Sequence, residues 1–247
     1  MKKCVLAVIT PNYQNHVKSL FAAIKRIGMW DGDFVVYVSG LTKNIADGFG
    51  KNVGLYDIEY IGAHLIKFNI FSERLKHWDR VIYFDTDFVI CNKMSGLIAS
   101  GNILASKEPF THDDMFCGKN DKSTYSYLKR IVNVNNHVYN TGLMSIDTKI
   151  ISGNAYTNLR SLQKKLLPIT NKIGSIERDQ PIINVYFDGM FDDACGVKYM
   201  GGVKNVGQNN TNGLDAIAMH TCSWNAPWVR FTNYYNENLN MYNELFK

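Results

Sequence analysis

The stretch Val81-Ile82-Tyr83-Phe84-Asp85-Thr86-Asp87-Phe88-Val89-Ile90 decides the reading of this chain. Four apolar residues with strand character run straight into an Asp-x-Asp string, and a second apolar run follows it. In a doubly wound sheet, ligands bind beyond the carboxyl ends of the strands, at the switch point. Two carboxylates one residue apart at such an end can turn toward a shared point. Their chemistry suits a hard divalent cation, Mg²⁺ or Mn²⁺, which takes oxygen ligands and bridges to substrate phosphates. A cation held there neutralises the charge that builds on a departing diphosphate. The plain alternative is a surface turn in which both aspartates cap backbone N–H groups. The apolar flanks favour the metal reading.

Upstream, Lys3–Thr10 reads as a buried strand ending at Pro11. Val17, Leu20, Phe21, Ile24 and Ile27 then fall at helical spacing, with Gly28 as the stop. Asp33–Ser39 is a β-rich run closed by Gly40, and Tyr56–Ile61 reads as a short third strand. Leu65, Phe68, Phe71 and Leu75 predict a helix over His64–His77. This alternation argues for an α/β chain with a largely parallel central sheet flanked by helices. Downstream, Val138–Ile146 reads as a strand pair or edge region. Asn158–Leu167 and Gln180–Phe187 read as helices, and Gly201–Gly213 as a Gly- and Asn-rich loop. No Pro/Ser-rich linker divides the sequence, so one domain over 1–247 is expected.

Composition narrows the classes. With 46% hydrophobic and 20% charged residues among 247, the chain is globular, not disordered, collagenous or coiled-coil. No run reaches the 18 or so apolar residues of a transmembrane helix. Lys2-Lys3 precedes Val5–Ile9, a run too brief for a signal-peptide core, so a cytoplasmic protein is expected. The net charge of +5 is scattered, without the basic stripe of a nucleic-acid surface. Five cysteines (Cys4, Cys91, Cys117, Cys195, Cys222) form no CxxC pair, which argues against a zinc knot and for free thiols. Asn209-Asn210-Thr211 is a formal glycosylation sequon without further support.

Two superfamilies use the central string. Asp85-Thr86-Asp87-Phe88-Val89 matches the haloacid-dehalogenase-like phosphotransferase pattern, with Asp192-Asp193 as a later acidic pair, but that family usually carries its nucleophile on the first strand. Further segments point elsewhere. Ile9-Thr10-Pro11-Asn12-Tyr13 looks like a post-strand nucleotide loop. Leu75–Asn92, with Trp78, is similar to an aromatic-strand-Asp-x-Asp…Asn stretch. Tyr139-Asn140-Thr141-Gly142-Leu143-Met144 looks like an Asn-Ser/Thr-Gly motif. Arg178-Asp179-Gln180 with Asn184 resembles Asp-Gln-x-x-x-Asn, and His220 with Pro227-Trp228 a C-terminal His…Pro-Trp motif. In this order, over about residues 9 to 228, they resemble glycosyltransferase family 8, the group of glycogenin and the lipopolysaccharide galactosyl- and glucosyltransferases.

That resemblance implies a single GT-A-type domain with a Rossmann-like sheet. It also implies a retaining, Mn²⁺-dependent hexosyltransferase that moves glucose, galactose or N-acetylhexosamine from a UDP-sugar to a glycan or protein hydroxyl. Asp85, Asp87 and His220 would hold Mn²⁺, with Mg²⁺ as the substitute. Thr10, Asn12, Tyr13, Lys67, Thr86, Gly142 and Trp228 would contact the donor. Asn140, Asp179 and Gln180 would grip its sugar or flank the anomeric carbon. Read plainly, Lys67 is a solvated helix lysine, Asn140-Thr141-Gly142 a tight turn, and Asp179-Gln180-Pro181 a helix N-terminus. The chain departs from the family at Ser223 and at Ala226, where the family has Gly and a Lys that approaches the diphosphate. That departure motivates a second class, a nucleotide-sugar or glycan-binding module with weak turnover. Self-glucosylation as in glycogenin would use one of Tyr186, Tyr199, Tyr234, Tyr235 and Tyr242. Asn233–Lys247 suggests an amphipathic helix that docks on the domain, on a dimer partner or on a membrane surface, the last disfavoured by its few basic residues. The resemblance admits a homodimer.

Overall fold

The computed structural model describes residues 1–62, 64–116, 120–170, 179–194, 197–199, 216–221 and 226–246. The first half lays down β1 (Lys3–Ile9), α1 (Gln14–Arg26), β2 (Asp33–Ser39), α2 (Lys43–Phe49), β3 (Val53–Ile58), β4 (Arg80–Phe84) and β5 (Phe88–Ile90). Next come β6 (Ile103–Thr111), α3 (His112–Met115), α4 (Lys122–Ile131), β7 (His137–Asp147), α5 (Ala155–Thr170) and α6 (Asp179–Tyr186). The chain continues through β8 (Phe191–Asp193), β9 (Val197–Tyr199) and β10 (Ala218–His220) to α7 (Pro227–Arg230) and α8 (Thr232–Phe246).

The central sheet has the order β3-β2-β1-β4-β7-β6-β8. Pairs β3/β2, β2/β1, β1/β4 and β6/β8 are parallel, whereas β4/β7 and β6/β7 are antiparallel. The chain runs outward from β1 to β3 and then returns to β4 on the other side of β1. The carboxyl ends of β1 and β4 therefore open a switch-point crevice. A smaller sheet, β5-β10-β9, pairs His220 with Phe88 and so brings it beside Asp87.

Strand periodicity divides the core into two layers. Val5, Ala7 and Ile9 join Phe21 and Ile24 of α1 and Tyr242 and Phe246 of α8 on one face. Cys4 and Leu6 join Phe68, Leu159 and Ile182 on the other. Because both faces are covered, β1 and β4 are near-continuous apolar runs.

Several expectations hold closely, β2, α5 and α6 among them. Others change. The expected helix over His64–His77 is two 3₁₀ segments, Leu65–Phe71 and Glu73–His77, broken at an extended Ser72. The 3-3-4 apolar spacing suits a period of three, and burial of neighbouring Leu65, Ile66, Lys67 and Phe68 on several sides favours the tighter coil. The third strand lies earlier, over Val53–Ile58, where the parallel register with β2 pairs Val53 with Phe34. Val138–Ile146 is neither a strand pair nor an edge, but part of one 11-residue strand between β4 and β6. It is buried at Val138 and from Asn140 to Ile146, polar positions included. The C-terminal helix docks on α1 and β2, where the Phe246 ring lies 6.4 Å from Phe21 and 4.8 Å from Phe34. No helix of the described residues is long and apolar enough to cross a membrane. Gly201–Gly213, the sequon, Arg178, Ser223, Cys117, Cys195 and Cys222 lie outside the described residues.

Candidate active site

At the carboxyl ends of β1 and β4 lies a cavity of about 250 Å³. Thr10 and Tyr13 line it from the β1 side, Asp85, Thr86 and Asp87 from the β4 side, and His64, Lys67 and Trp228 close it. Asn12 is exposed and is not among its lining residues. Tyr13 is exposed at the mouth, near Trp228, whose ring stacks on His16 at 3.7 Å. The aromatic wall has a local cause. Thr10-Pro11 ends β1, a 3₁₀ turn over Pro11–Tyr13 follows, and α1 starts at Gln14 with His16 in its first turn.

Lys67 lies at the base. Its Nζ is 3.0 Å from Asp85 Oδ2 and 2.8 Å from Asp179 Oδ2, and it donates to Thr141 O at 3.5 Å. The expectation of a solvated lysine fails, because Lys67 is buried within an apolar 3₁₀ segment. Burial alone would lower its pKa, but the carboxylates of Asp179 and Asp85 together outweigh it and hold the ammonium charged. Asp179 is held below the usual carboxylate range: burial opposes this, but the Lys67 charge and hydrogen bonds from Lys67 and Thr141 win. Asp85 is displaced upward, because burial and the neighbouring carboxylates outweigh Lys67. The Tyr83 hydroxyl donates to Asp85 Oδ1.

Beside this pair runs an amide network. Asn140 Nδ2 donates to Glu108 Oε1 at 3.1 Å and to Gln180 Oε1 at 3.4 Å, while Asn140 Oδ1 accepts from Gly142 N at 2.8 Å. Thr141 Oγ1 donates to Asp179 Oδ2 at 2.9 Å. Asn184 brackets the Tyr139 backbone, accepting from its N at 2.7 Å and donating to its O at 2.8 Å. These two bonds fasten α6 to β7 and so fix Asp179 and Gln180 against Asn140 and Thr141. Asn140-Thr141-Gly142 is therefore strand, not the tight turn of the plain reading. Asp179-Gln180-Pro181 does open a helix.

The donor set at the centre suits a hard cation. Asp87 Oδ1 is buried and accepts no hydrogen bond among the described residues, although His220 Nε2 is 3.3 Å away. A Cβ placed on Gly142 would stand 3.0 Å from Asn140 Oδ1, 3.1 Å from Asp85 Oδ2 and 3.2 Å from His220 Cε1. The missing side chain thus leaves a hollow ringed by these groups. Two carboxylates and an imidazole are acceptable ligands for Mn²⁺. As they stand, no three such side chains among the described residues are gathered into a closed metal-binding group, and Asp85 is committed to Lys67 and Tyr83. His220 is oriented by stacking on Phe88 at 4.5 Å and 6°.

Sequence reasoning missed Glu108, His64, His16 and Tyr83. Glu108 lies on β6, whose Ser106-Lys107-Glu108-Pro109 core shows no strand alternation. His64 stands 4.0 Å from Asp179 Oδ1, a contact between distant segments. Asp192 and Asp193 lie on β8, separated from β4 by β7 and β6. They do not join Asp85, so the phosphohydrolase reading loses its acidic pair. Of the tyrosines proposed as self-acceptors, Tyr234 and Tyr242 are buried with hydroxyls bonded to Ile90 and Phe49, and Tyr235 bonds His16. The Tyr186 hydroxyl accepts from Asn158 Nδ2 at 3.3 Å. The side chain of Tyr199 is outside the described set.

No protein-family model matches the chain, and no curated protein matches it in sequence. Solved structures match in shape. The chain is similar to the apo WbbM bifunctional glycosyltransferase at 15% identity and a TM-score of 0.65, over 99% of this chain and 51% of that one. It thus spans about half the length of WbbM. It is also similar to the galactosyltransferase LgtC, solved with donor and acceptor sugar analogs, at 12% identity and a TM-score of 0.65, over 98% of this chain and 95% of that one. GlyE of Streptococcus pneumoniae TIGR4 matches at 14% identity and a TM-score of 0.59, over 99% of this chain and 64% of that one. At these identities the likeness carries the fold: a mixed α/β architecture with a mostly parallel central sheet, shared with GT-A glycosyltransferases.

Proposed function

We propose that this chain is a glycosyltransferase acting as a single GT-A-type domain, which transfers a hexose from a UDP-sugar to a hydroxyl acceptor with the help of a divalent cation. The observation that carries the reading is the Lys67-centred cluster, which joins Asp85 to Asp179 at the base of a switch-point cavity in a fold shared with glycosyltransferases.

In this reading Thr10, Tyr13 and Trp228 receive the nucleoside, and the aromatic wall excludes water from one side of it. Asp85, Asp87 and His220 would hold Mn²⁺, or Mg²⁺ in its place. Such a cation, when bound, supplies positive charge for the diphosphate leaving group. Lys67 fixes the two carboxylates and offsets their mutual repulsion. Asn140 and Gln180 present amide dipoles whose directions are set before substrate arrives, because Glu108 and Gly142 N hold the Asn140 amide. Preorganised dipoles of this kind stabilise positive charge developing at an anomeric carbon without forming a strong adduct. Asp179, kept ionised by Lys67 and Thr141, accepts hydrogen bonds from sugar hydroxyls.

UDP with Mn²⁺ is expected to raise the melting temperature by mass action, and Asp87→Ala to remove the Mn²⁺-dependent part. UDP release over a panel of UDP-sugars, with metal and with chelator, then tests turnover. No stabilisation by any UDP-sugar with Mn²⁺ would refute the reading. A second reading rests on Ala226, which is fully buried at the entrance to α7 and carries no charge where the resemblance expects a lysine. Donor binding without UDP release from any acceptor mixture would favour a binding module of the same fold.

A further inference from the structure

Next to the candidate active site, the sheet carries a second cavity of about 270 Å³. Its walls include Lys107, His112, Asn136, Tyr139, Asp188 and Phe191. Lys107 and Tyr139 are partners in the β6–β7 register. Each is one residue from a member of the amide network, Glu108 and Asn140 respectively. The two sites are thus built on adjoining positions of the same two strands.

The walls are of two kinds. Tyr139 and Phe191 stack at 4.9 Å and 8°, forming a flat apolar side. Opposite chemistry comes from Asp188, which is held by His112 Nε2 at 3.1 Å and by Asn136 Nδ2 at 3.2 and 3.3 Å. His112 is only 1% exposed, and its Nδ1 has no partner among the described residues. The buried imidazole thus pins a carboxylate that is itself 21% exposed where it lines the cavity. Gly189 adds an opening, since a Cβ there would meet nothing within 4 Å. The Asn184 clamp on the Tyr139 backbone keeps the aromatic side rigid.

A flat aromatic face combined with a fixed carboxylate and amides matches a pyranose ring. Its C–H face lies on an aromatic surface, and its hydroxyls donate to carboxylate oxygens. Charge selects further. Asp193 of β8 is engaged by the backbone, its Oδ1 accepting from Lys107 N at 3.2 Å. Asp188, the carboxylate that lines the cavity, offers acceptor oxygens to hydroxyl donors and not to an anion. We propose that this cavity is a subsite for a neutral pyranose unit of the acceptor glycan, gripping it away from the reacting hydroxyl. The acceptor role rests on the transferase reading above.

The test is saturation-transfer NMR on the full chain, with neutral gluco-, galacto- and manno-configured disaccharide methyl glycosides as probes. Transfer to at least one disaccharide is expected. Phe191→Leu, which keeps apolar volume but removes the ring, and Asp188→Asn should each weaken that binding at least tenfold, with the UDP–Mn²⁺ thermal shift unchanged. Absence of transfer to every disaccharide, or undiminished transfer in both variants, overturns the proposal. So does inorganic phosphate displacing the sugar. If sugar binding behaves as expected but UDP and Mn²⁺ stabilise nothing, the acceptor role falls and the transferase reading with it, while a sugar-binding cavity remains.

Discussion

The Lys67 ammonium sits 2.8 Å from Asp179 Oδ2, joining a 3₁₀ segment before β4 to the first residue of α6. The same Nζ reaches Asp85 Oδ2 at 3.0 Å, so one cation serves the buried Asp179 and the half-buried Asp85. Removing one member of a buried ion pair leaves uncompensated charge and costs about 3–5 kcal/mol. Lys67→Met should therefore lose about that much in urea unfolding and weaken UDP–Mn²⁺ stabilisation. A variant as stable as wild type would show that the cluster contributes nothing to folding.

Gly142 leaves the hollow that Asn140 Oδ1, Asp85 Oδ2 and His220 surround. Gly142→Ala places a methyl group 3.0–3.2 Å from all three, closer than ordinary contact. The strand can tolerate alanine, at an overpacking cost of about 1–3 kcal/mol. The site should suffer more in function, with UDP binding in Mn²⁺ weakened about tenfold or more, equivalent to about 1.4 kcal/mol. Isothermal titration would read it. Unchanged affinity would move the ligand away from this hollow.

Phe246 closes the chain's last helix onto the sheet. It is 1% exposed, stacks on Tyr242 at 4.6 Å, and meets Phe34 edge-on. Phe246→Ala should destabilise by about 3–5 kcal/mol, the range for emptying an aromatic core position. Denaturant unfolding gives the number, and a loss under about 1 kcal/mol would show that α8 is not part of the cooperative core.

Burial pushes the Cys91 thiol up to about 11, and burial, with a smaller effect of Asp33, raises Cys4 well above its ordinary value. At pH 8 only about one Cys91 in a thousand would be thiolate, the reactive form. Both cysteines should resist iodoacetamide in the folded protein and react after denaturation, as peptide mass mapping would show. Rapid labelling of the native chain at either position would contradict this packing.

What could be read from the sequence was whatever a short window encodes. Val81–Phe84 followed by Asp85-Thr86-Asp87 located a strand end and its carboxylates, because strand burial writes an apolar run and the aspartates break it. The alternation of elements over β1 to β4 gave the α/β class for the same reason. Tertiary structure alone decided the partnerships. The resemblance marked Lys67 as a donor contact and its window alone read as a solvated lysine, but neither could say that Asp179 reaches it across the fold. Asn140-Thr141-Gly142 had the composition of a turn, yet pairing with β4 and β6 makes it strand. Glu108 had no readable address, since β6 is held in place by its neighbours and not by its own pattern. Local sequence sets which conformations are cheap, while long-range packing and desolvation select among them and bring the charged groups together.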